Sequence, residues 1–141
     1  MRYYLDTNIL AYFAMDRDEM SPDVTAILTD YNNRLLTSSI CVHELIHIIQ
    51  IGKLRRRRKE DLYKVALNTY LSLERIGVEV IPISAPHFIL YAQLPILGDH
   101  RDPFDRLIIS QSMADHIPLI SSDGNFPMYE PYGLQLIRNE R

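Results

Sequence analysis

A chain of 141 residues with 47% hydrophobic and 23% charged residues is long enough to bury a core without disulfide or metal staples, and its balance excludes a disordered or fibrous protein. A net charge of −3 excludes a surface that is basic throughout, so any contact with nucleic acid has to come from a local patch. The single cysteine, Cys41, excludes an internal disulfide and gives no reason to invoke an oxidising compartment, so a cytoplasmic protein is expected.

The length suits one domain over residues 1–141. Asp6, Asn8 and Asp16 interrupt the apolar N-terminus before a signal-peptide core forms. Val80 to Gly98 lacks Asp, Glu, Lys and Arg, but Pro82, Pro86 and Pro95 break it, so a strand, a turn and a short helix are expected there and no membrane span.

Tyr3-Tyr4-Leu5 predicts a first strand. After Ser21-Pro22, the stripe Val24, Ile27, Leu28, Tyr31 predicts a helix with a serine cap and proline in its first position. Leu35-Leu36-Thr37 predicts strand two, and Ser39 a cap for a helix carrying Ile40, Leu45, Ile48 and Ile49 and stopping at Gly52. A third helix is expected from about Lys59 through Leu62, Val65, Ala66, Tyr70 and Leu73 to Gly77, then a strand from Val78 to Ile83. Pro86 opens a fourth helix ending near Pro95. Asp102-Pro103 opens a fifth, with Phe104, Leu107, Ile108, Met113 and Ala114 toward the sheet. Pro118 to Ser121 and Leu134 to Ile137 complete five strands. Short apolar runs alternating with helical stretches predict a three-layer α/β/α sandwich around a mostly parallel five-stranded sheet.

Four acids fall where these elements begin or end. Asp6 follows strand one, Asp123 follows strand four, Glu44 lies early in the helix after strand two, and Asp105 in the first turn of the helix before strand four. Ligands of open parallel sheets bind beyond the carboxyl ends of the strands, where strand order reverses. If strands one and four are neighbours there, all four carboxylates reach one cavity. Anions so crowded repel by a few kcal/mol per pair at roughly 4 Å and an effective dielectric of about 20, and a divalent cation removes that conflict. Carboxylate oxygens select Mg²⁺ or Mn²⁺, a combination suited to phosphodiester hydrolysis, with Asp6 as the central ligand. Each acid also has a local structural use. Asp6-Thr7-Asn8 is a capping cluster, Asp102 and Asp105 occupy the N-cap and third positions of a helix, Asp123-Gly124 is a turn pair, and Glu44 suits a solvated helix face.

At these residues the chain resembles the PIN-domain nucleases, most closely the VapC-type toxins of toxin–antitoxin pairs. The matching segments are Tyr4 to Asn8, Ser38-Ser39 leading to His43-Glu44-Leu45, His100 to Ile109 (HRDPFDRLII), and Ser121 to Phe126. They occur in the family's order across nearly the whole chain. The last departs most, since family members often carry an arginine in that loop. The resemblance implies a PIN-like fold with Asp6, Glu44, Asp105 and Asp123 as catalytic, metal-binding acids. Thr7 and Asn8 would support the first of them, with Asp102 as an accessory or capping acid. It further implies Mg²⁺- or Mn²⁺-dependent endoribonuclease activity, often on structured RNA such as tRNA, and as partners a second copy of the chain and a cognate antitoxin.

Competing signals remain. His43-Glu44-Leu45-Ile46-His47 matches the H-E-x-x-H zinc-protease pattern, but Gln50 and Lys53 stand where the extended motif needs Gly and His. A phosphoreceiver-like module with Asp6 or Asp123 as acceptor would want Thr or Ser and a Lys at later strand ends; Pro82 and Ser84 follow strand three, and no lysine occurs after Lys64. A non-catalytic RNA-binding or antitoxin-binding protein of the same fold is a third alternative. Lys53 to Lys59 gathers six cations in seven residues, suited either to RNA phosphates or to a solvated turn. Cys41 reads as a small buried hydrophobe, and Tyr12, Tyr91, Tyr129 and Tyr132 as core packing before base stacking.

Overall fold

The computed structural model describes residues 1–15, 17–52, 61–100 and 102–140. Among these residues five strands, β1 (Arg2–Leu5), β2 (Arg34–Ser38), β3 (Val78–Ile81), β4 (Leu119–Ser121) and β5 (Leu136–Arg138), form one sheet in the order β3-β2-β1-β4-β5. Every pairing is parallel. Beyond its first residue β1 is buried throughout, as are β2 beyond Arg34 and all of β4. Successive strand side chains point to opposite faces, so continuous burial means that both faces are covered, which is the α/β/α arrangement expected. No helix among the described residues is long and apolar enough to cross a membrane.

The chain runs outward from β1 through β2 to β3, then returns past β1 to build β4 and β5. Strand order therefore reverses between β1 and β4, whose carboxyl ends lie side by side through the Leu5–Ile120 pairing.

Among the described residues six α-helices accompany the sheet: α1 (Thr7–Met15), α2 (Pro22–Thr29), α3 (Ser39–Gln50), α4 (Leu62–Arg75), α5 (Ala85–Gln93) and α6 (Pro103–Asp115). The sequence pattern did not predict α1. Its residues are apolar on nearly every side, with Ile9, Leu10 and Phe13 buried and Ala11 and Tyr12 packed against the core, so no polar face marks the change from strand to helix.

Other boundaries move by a residue or two. Helix α2 ends at Thr29, and Tyr31, expected in its apolar stripe, is fully exposed beyond the end. Ser38, not Ser39, caps α3, accepting from Ile40 N–H at 3.1 Å. Asp61 caps α4; the start expected near Lys59, like the whole basic run from Lys53 to Lys59, lies outside the described residues. Strand β3 stops at Ile81, and α5 begins one residue before Pro86. Strand β5 begins two residues later than expected, because a 3₁₀ helix over Phe126–Tyr132 and a turn at Gly133 precede it and send Leu134 into the core. In α6 the buried face is Ile108, Ile109 and the run from Ser110 to Ser112, while Phe104, expected against the sheet, is exposed.

Candidate active site

Asp6 leaves β1 at the reversal point. Its backbone N–H extends the sheet by donating to Ile120 O at 3.0 Å, and its carbonyl accepts from Leu10 N–H to start α1. The side chain is 4% exposed. Both carboxylate oxygens are held: Oδ1 accepts from Thr7 N–H at 2.8 Å and Oδ2 from the Ser121 hydroxyl at 2.6 Å. Ser121 ends β4, and its hydroxyl also accepts from Asp123 N–H at 3.0 Å. One side chain thus joins the acid after β1 to the loop that carries the acid after β4.

Thr7 serves two acids, because its hydroxyl donates to Glu44 Oε2 at 2.7 Å and ties α1 to α3. Asp105, in the first turn of α6, has Oδ2 3.2 Å from His100 Nε2, and His100 Nδ1 lies 2.9 Å from the Tyr129 hydroxyl. Asp123 Oδ1 accepts from Asn125 N–H at 2.8 Å, an Asx turn that fixes the loop after β4. Asn8 holds that loop from the other side, Oδ1 accepting from Ser122 N–H at 3.4 Å.

Asp6, Glu44, Asp105 and Asp123 line one open cleft of about 260 Å³, with Thr7, Asn8, Ala11, Tyr12 and Ile48 as its remaining walls. Residues from the beginning, middle and end of the chain meet there. Asp102 does not line it; its side chain caps α6, accepting from Phe104 N–H at 2.9 Å and Asp105 N–H at 3.3 Å.

No lysine or arginine among the described residues pairs with any of the four acids. Burial pushes the Asp6 carboxyl from 3.8 up to about 6; the hydrogen bonds from Ser121 and Thr7 oppose the rise, and the charges of Glu44 and Asp123 add to it. Asp105 is likewise raised to about 6, by burial first, with His100 opposing and Asp102, Asp6 and Asp123 adding. Glu44 is raised by burial and by Asp105, Asp102 and Asp123, against the Thr7 bond. These are carboxylates that the fold holds together against their mutual repulsion.

Whether the donors suit a cation turns on which cation. Among the described residues no three His, Cys, Asp or Glu side chains are gathered tightly enough to hold a metal ion by themselves. Zinc sites take three or four protein ligands, so His43 and His47 do not make one. Both histidines are exposed, and the His43 ring lies 5.8 Å from that of Phe104. Mg²⁺ keeps several waters and needs only one or two carboxylates, so an open all-oxygen cleft fits it. Cys41 is buried with Sγ 4.0 Å from Asp6 Oδ1; burial and the nearby carboxylates push its thiol up, away from a thiolate.

Ser121 and His100 were not singled out individually in the sequence, and Tyr129 was named only for packing or base stacking. The first two lie in the segments that carry the family resemblance. Tyr129 is buried in the core, as its packing reading predicted, and its bond to His100 had no sequence signal.

A family model for the PIN domain matches residues 3–130, and the chain belongs to the PIN-domain family. Solved structures share its fold over almost its whole length. VapBC2 from Rickettsia felis, bound to a DNA fragment from their promoter, is 23% identical over 99% of this chain and 100% of its own, with a TM-score of 0.67. VapBC-1 from nontypeable Haemophilus influenzae is 22% identical over 98% of both chains, with a TM-score of 0.65. VapBC-5 from Mycobacterium tuberculosis, of the VapBC family of toxin–antitoxin systems, is 17% identical over 99% of this chain and 98% of its own, with a TM-score of 0.62. At these identities the likeness is one of fold. No curated protein matches the chain.

Proposed function

We propose that this PIN-family chain is a Mg²⁺- or Mn²⁺-dependent endoribonuclease that hydrolyses RNA phosphodiester bonds, and that it is the toxin of a VapC-type toxin–antitoxin pair. The observation that carries the reading is the cleft at the β1/β4 reversal, lined by Asp6, Glu44, Asp105 and Asp123 without a lysine or arginine partner among the described residues. Residues 1–141 act as one nuclease domain in the cytoplasm. The partners are structured RNA such as tRNA, a cognate antitoxin and a second copy of the chain. The antitoxin assignment is supported by structural relatives that are VapBC complexes, one of them bound to promoter DNA.

The bound metal would supply Lewis-acid activation of water and neutralisation of charge on the phosphodiester. The chain's own residues do the rest. Asp6 is the most buried of the four acids and is clamped on both oxygens, so it presents its remaining lone pairs in a fixed direction. Glu44 and Asp105 each have one oxygen engaged, by Thr7 and His100, and the other available to the cleft. Asp123 borders the cleft on a loop held by Asn8 and Ser121. Tyr12, Ala11 and Ile48 give it an apolar wall against which RNA packs.

The test is cleavage of structured RNA by the purified protein with Mg²⁺, with EDTA, and with Asp6→Asn. Cleavage should require the metal and fall at least roughly 100-fold in the variant, whose circular dichroism is unchanged. Activity surviving either EDTA or the substitution refutes the reading. A wild-type protein that binds RNA but never cuts it supports the non-catalytic alternative.

A further inference from the structure

We propose that His100 and Tyr129 form a buried relay that positions Asp105 toward the cleft, an inference that rests on reading the cleft as a metal site. Asp105 occupies the third position of α6, where an acid ordinarily turns back to the backbone N–H of the cap residue and closes a capping box. Here it does not. Asp102 alone caps the helix, and the Asp105 carboxylate bonds instead to His100, five residues earlier.

The histidine is fixed on every side. Its backbone N–H donates to Leu97 O at 3.0 Å, and its side chain is 4% exposed. The ring packs edge-on against Tyr129 at 5.5 Å and tilted against Phe126 at 6.3 Å, two residues that are fully buried in the 3₁₀ helix. Placing imidazole and phenol among such neighbours is unfavourable unless their polar atoms are paired, and here they pair with each other and with Asp105.

One arrangement of protons pairs the polar atoms of all three groups. An ionised Asp105 carboxylate can only accept, so Nε2 carries the hydrogen toward it and Nδ1 faces the phenol. The phenol O–H is then free to donate to His100 Nδ1, and Nε2–H donates to Asp105 Oδ2. The hydrogen bond from the imidazole fixes the direction of the carboxylate. Partners behind a ligand carboxylate fix its direction, and losing one typically costs about 10- to 100-fold in metal affinity.

The experiment is a double-mutant cycle read by Mn²⁺ affinity in electron paramagnetic resonance titrations, independent of RNA cleavage. His100→Ala should weaken binding about 10- to 100-fold. Tyr129→Phe, which removes one hydroxyl and keeps the ring, should weaken it roughly 2- to 10-fold. In an Asp105→Asn background both effects should vanish, because the relay acts only through that carboxylate. Unchanged affinity in the single variants, or equal losses in the Asp105→Asn background, overturns the proposal. If His100→Ala does not fold, Tyr129→Phe decides alone. A protein that shows the coupling yet cuts no RNA refutes the nuclease reading and leaves the relay standing; one that cuts RNA but shows additive losses does the reverse. A wild type that binds no Mn²⁺ overturns both.

Discussion

Replacing Asp6 by Asn should abolish activity and, in the absence of metal, make the fold more stable. Burial holds the Asp6 carboxyl near 6 in place of 3.8. The folded state therefore keeps a proton that the unfolded chain releases as pH rises from about 4 to about 6, and stability falls across that window. Two pH units at about 1.36 kcal/mol each put the full penalty at roughly 3 kcal/mol, present at all pH above about 6. Asn carries no charge, still accepts from Thr7 N–H, and donates to the Ser121 hydroxyl. In EDTA at pH 7.5 the variant should melt roughly 6–12 °C above the wild type. The gap should shrink toward zero by about pH 4, and added Mg²⁺ should narrow it at neutral pH by binding the wild type. Melting curves from pH 4 to 8, with and without Mg²⁺, measure all three. A variant no more stable than wild type at pH 7.5 in EDTA, or a gap independent of pH, refutes the electrostatic account of Asp6.

Ser121→Ala removes one of the two donors to a buried carboxylate, so Mn²⁺ affinity should fall about 10- to 100-fold by titration calorimetry. Thr7→Val keeps the shape and removes only the bond to Glu44; cleavage should fall on the order of tenfold with the circular dichroism spectrum unchanged. Stabilisation by Mg²⁺ should grow between pH 5 and 7.5, because the metal binds the deprotonated forms of Asp6 and Asp105, both held near 6; a flat response to pH would count against their role. His47→Ala should leave metal-dependent cleavage within roughly twofold of wild type, and a large loss would revive the zinc-protease pattern.

Sequence reasoning recovered what depends on local chemistry. Ser21-Pro22 and Asp102-Pro103 announce helix starts because cap and proline act within a few residues, and both α2 and α6 begin there. The apolar runs that became β1 and β4 were legible because a strand buried on both faces has no polar positions. Helix α1 was not, for the same reason in reverse: an apolar helix directly after an apolar strand offers no change of period to detect. Within the site, the four acids could be picked out because each stands at an element boundary. Their partners could not. Ser121 meets Asp6 across 115 positions and Tyr129 meets His100 across 29, and such pairings depend on topology rather than on spacing.

The four acids differ in the kind of partner from the acids that pair with arginine at the surface. Glu79 and Glu140 pair with Arg34 and Arg138 at the surface. Asp115 is satisfied between the Tyr4 hydroxyl and the His87 ring, away from the cleft. The cleft acids are held by hydroxyls, backbone amides and an imidazole. Such donors orient a carboxylate while leaving its charge uncancelled. A lysine among them would stabilise the metal-free fold but discharge the negative potential that draws a cation in. The raised positions of Asp6, Glu44 and Asp105 come from burial first and from their mutual repulsion second, against the pull of these hydrogen bonds, and the fold tolerates the strain because Asp6 alone of the four is fully withdrawn from water. Instability of the metal-free cleft and affinity for a divalent ion are then two consequences of one arrangement, which is why the same Asp6→Asn substitution should raise the first melting temperature and remove the second property.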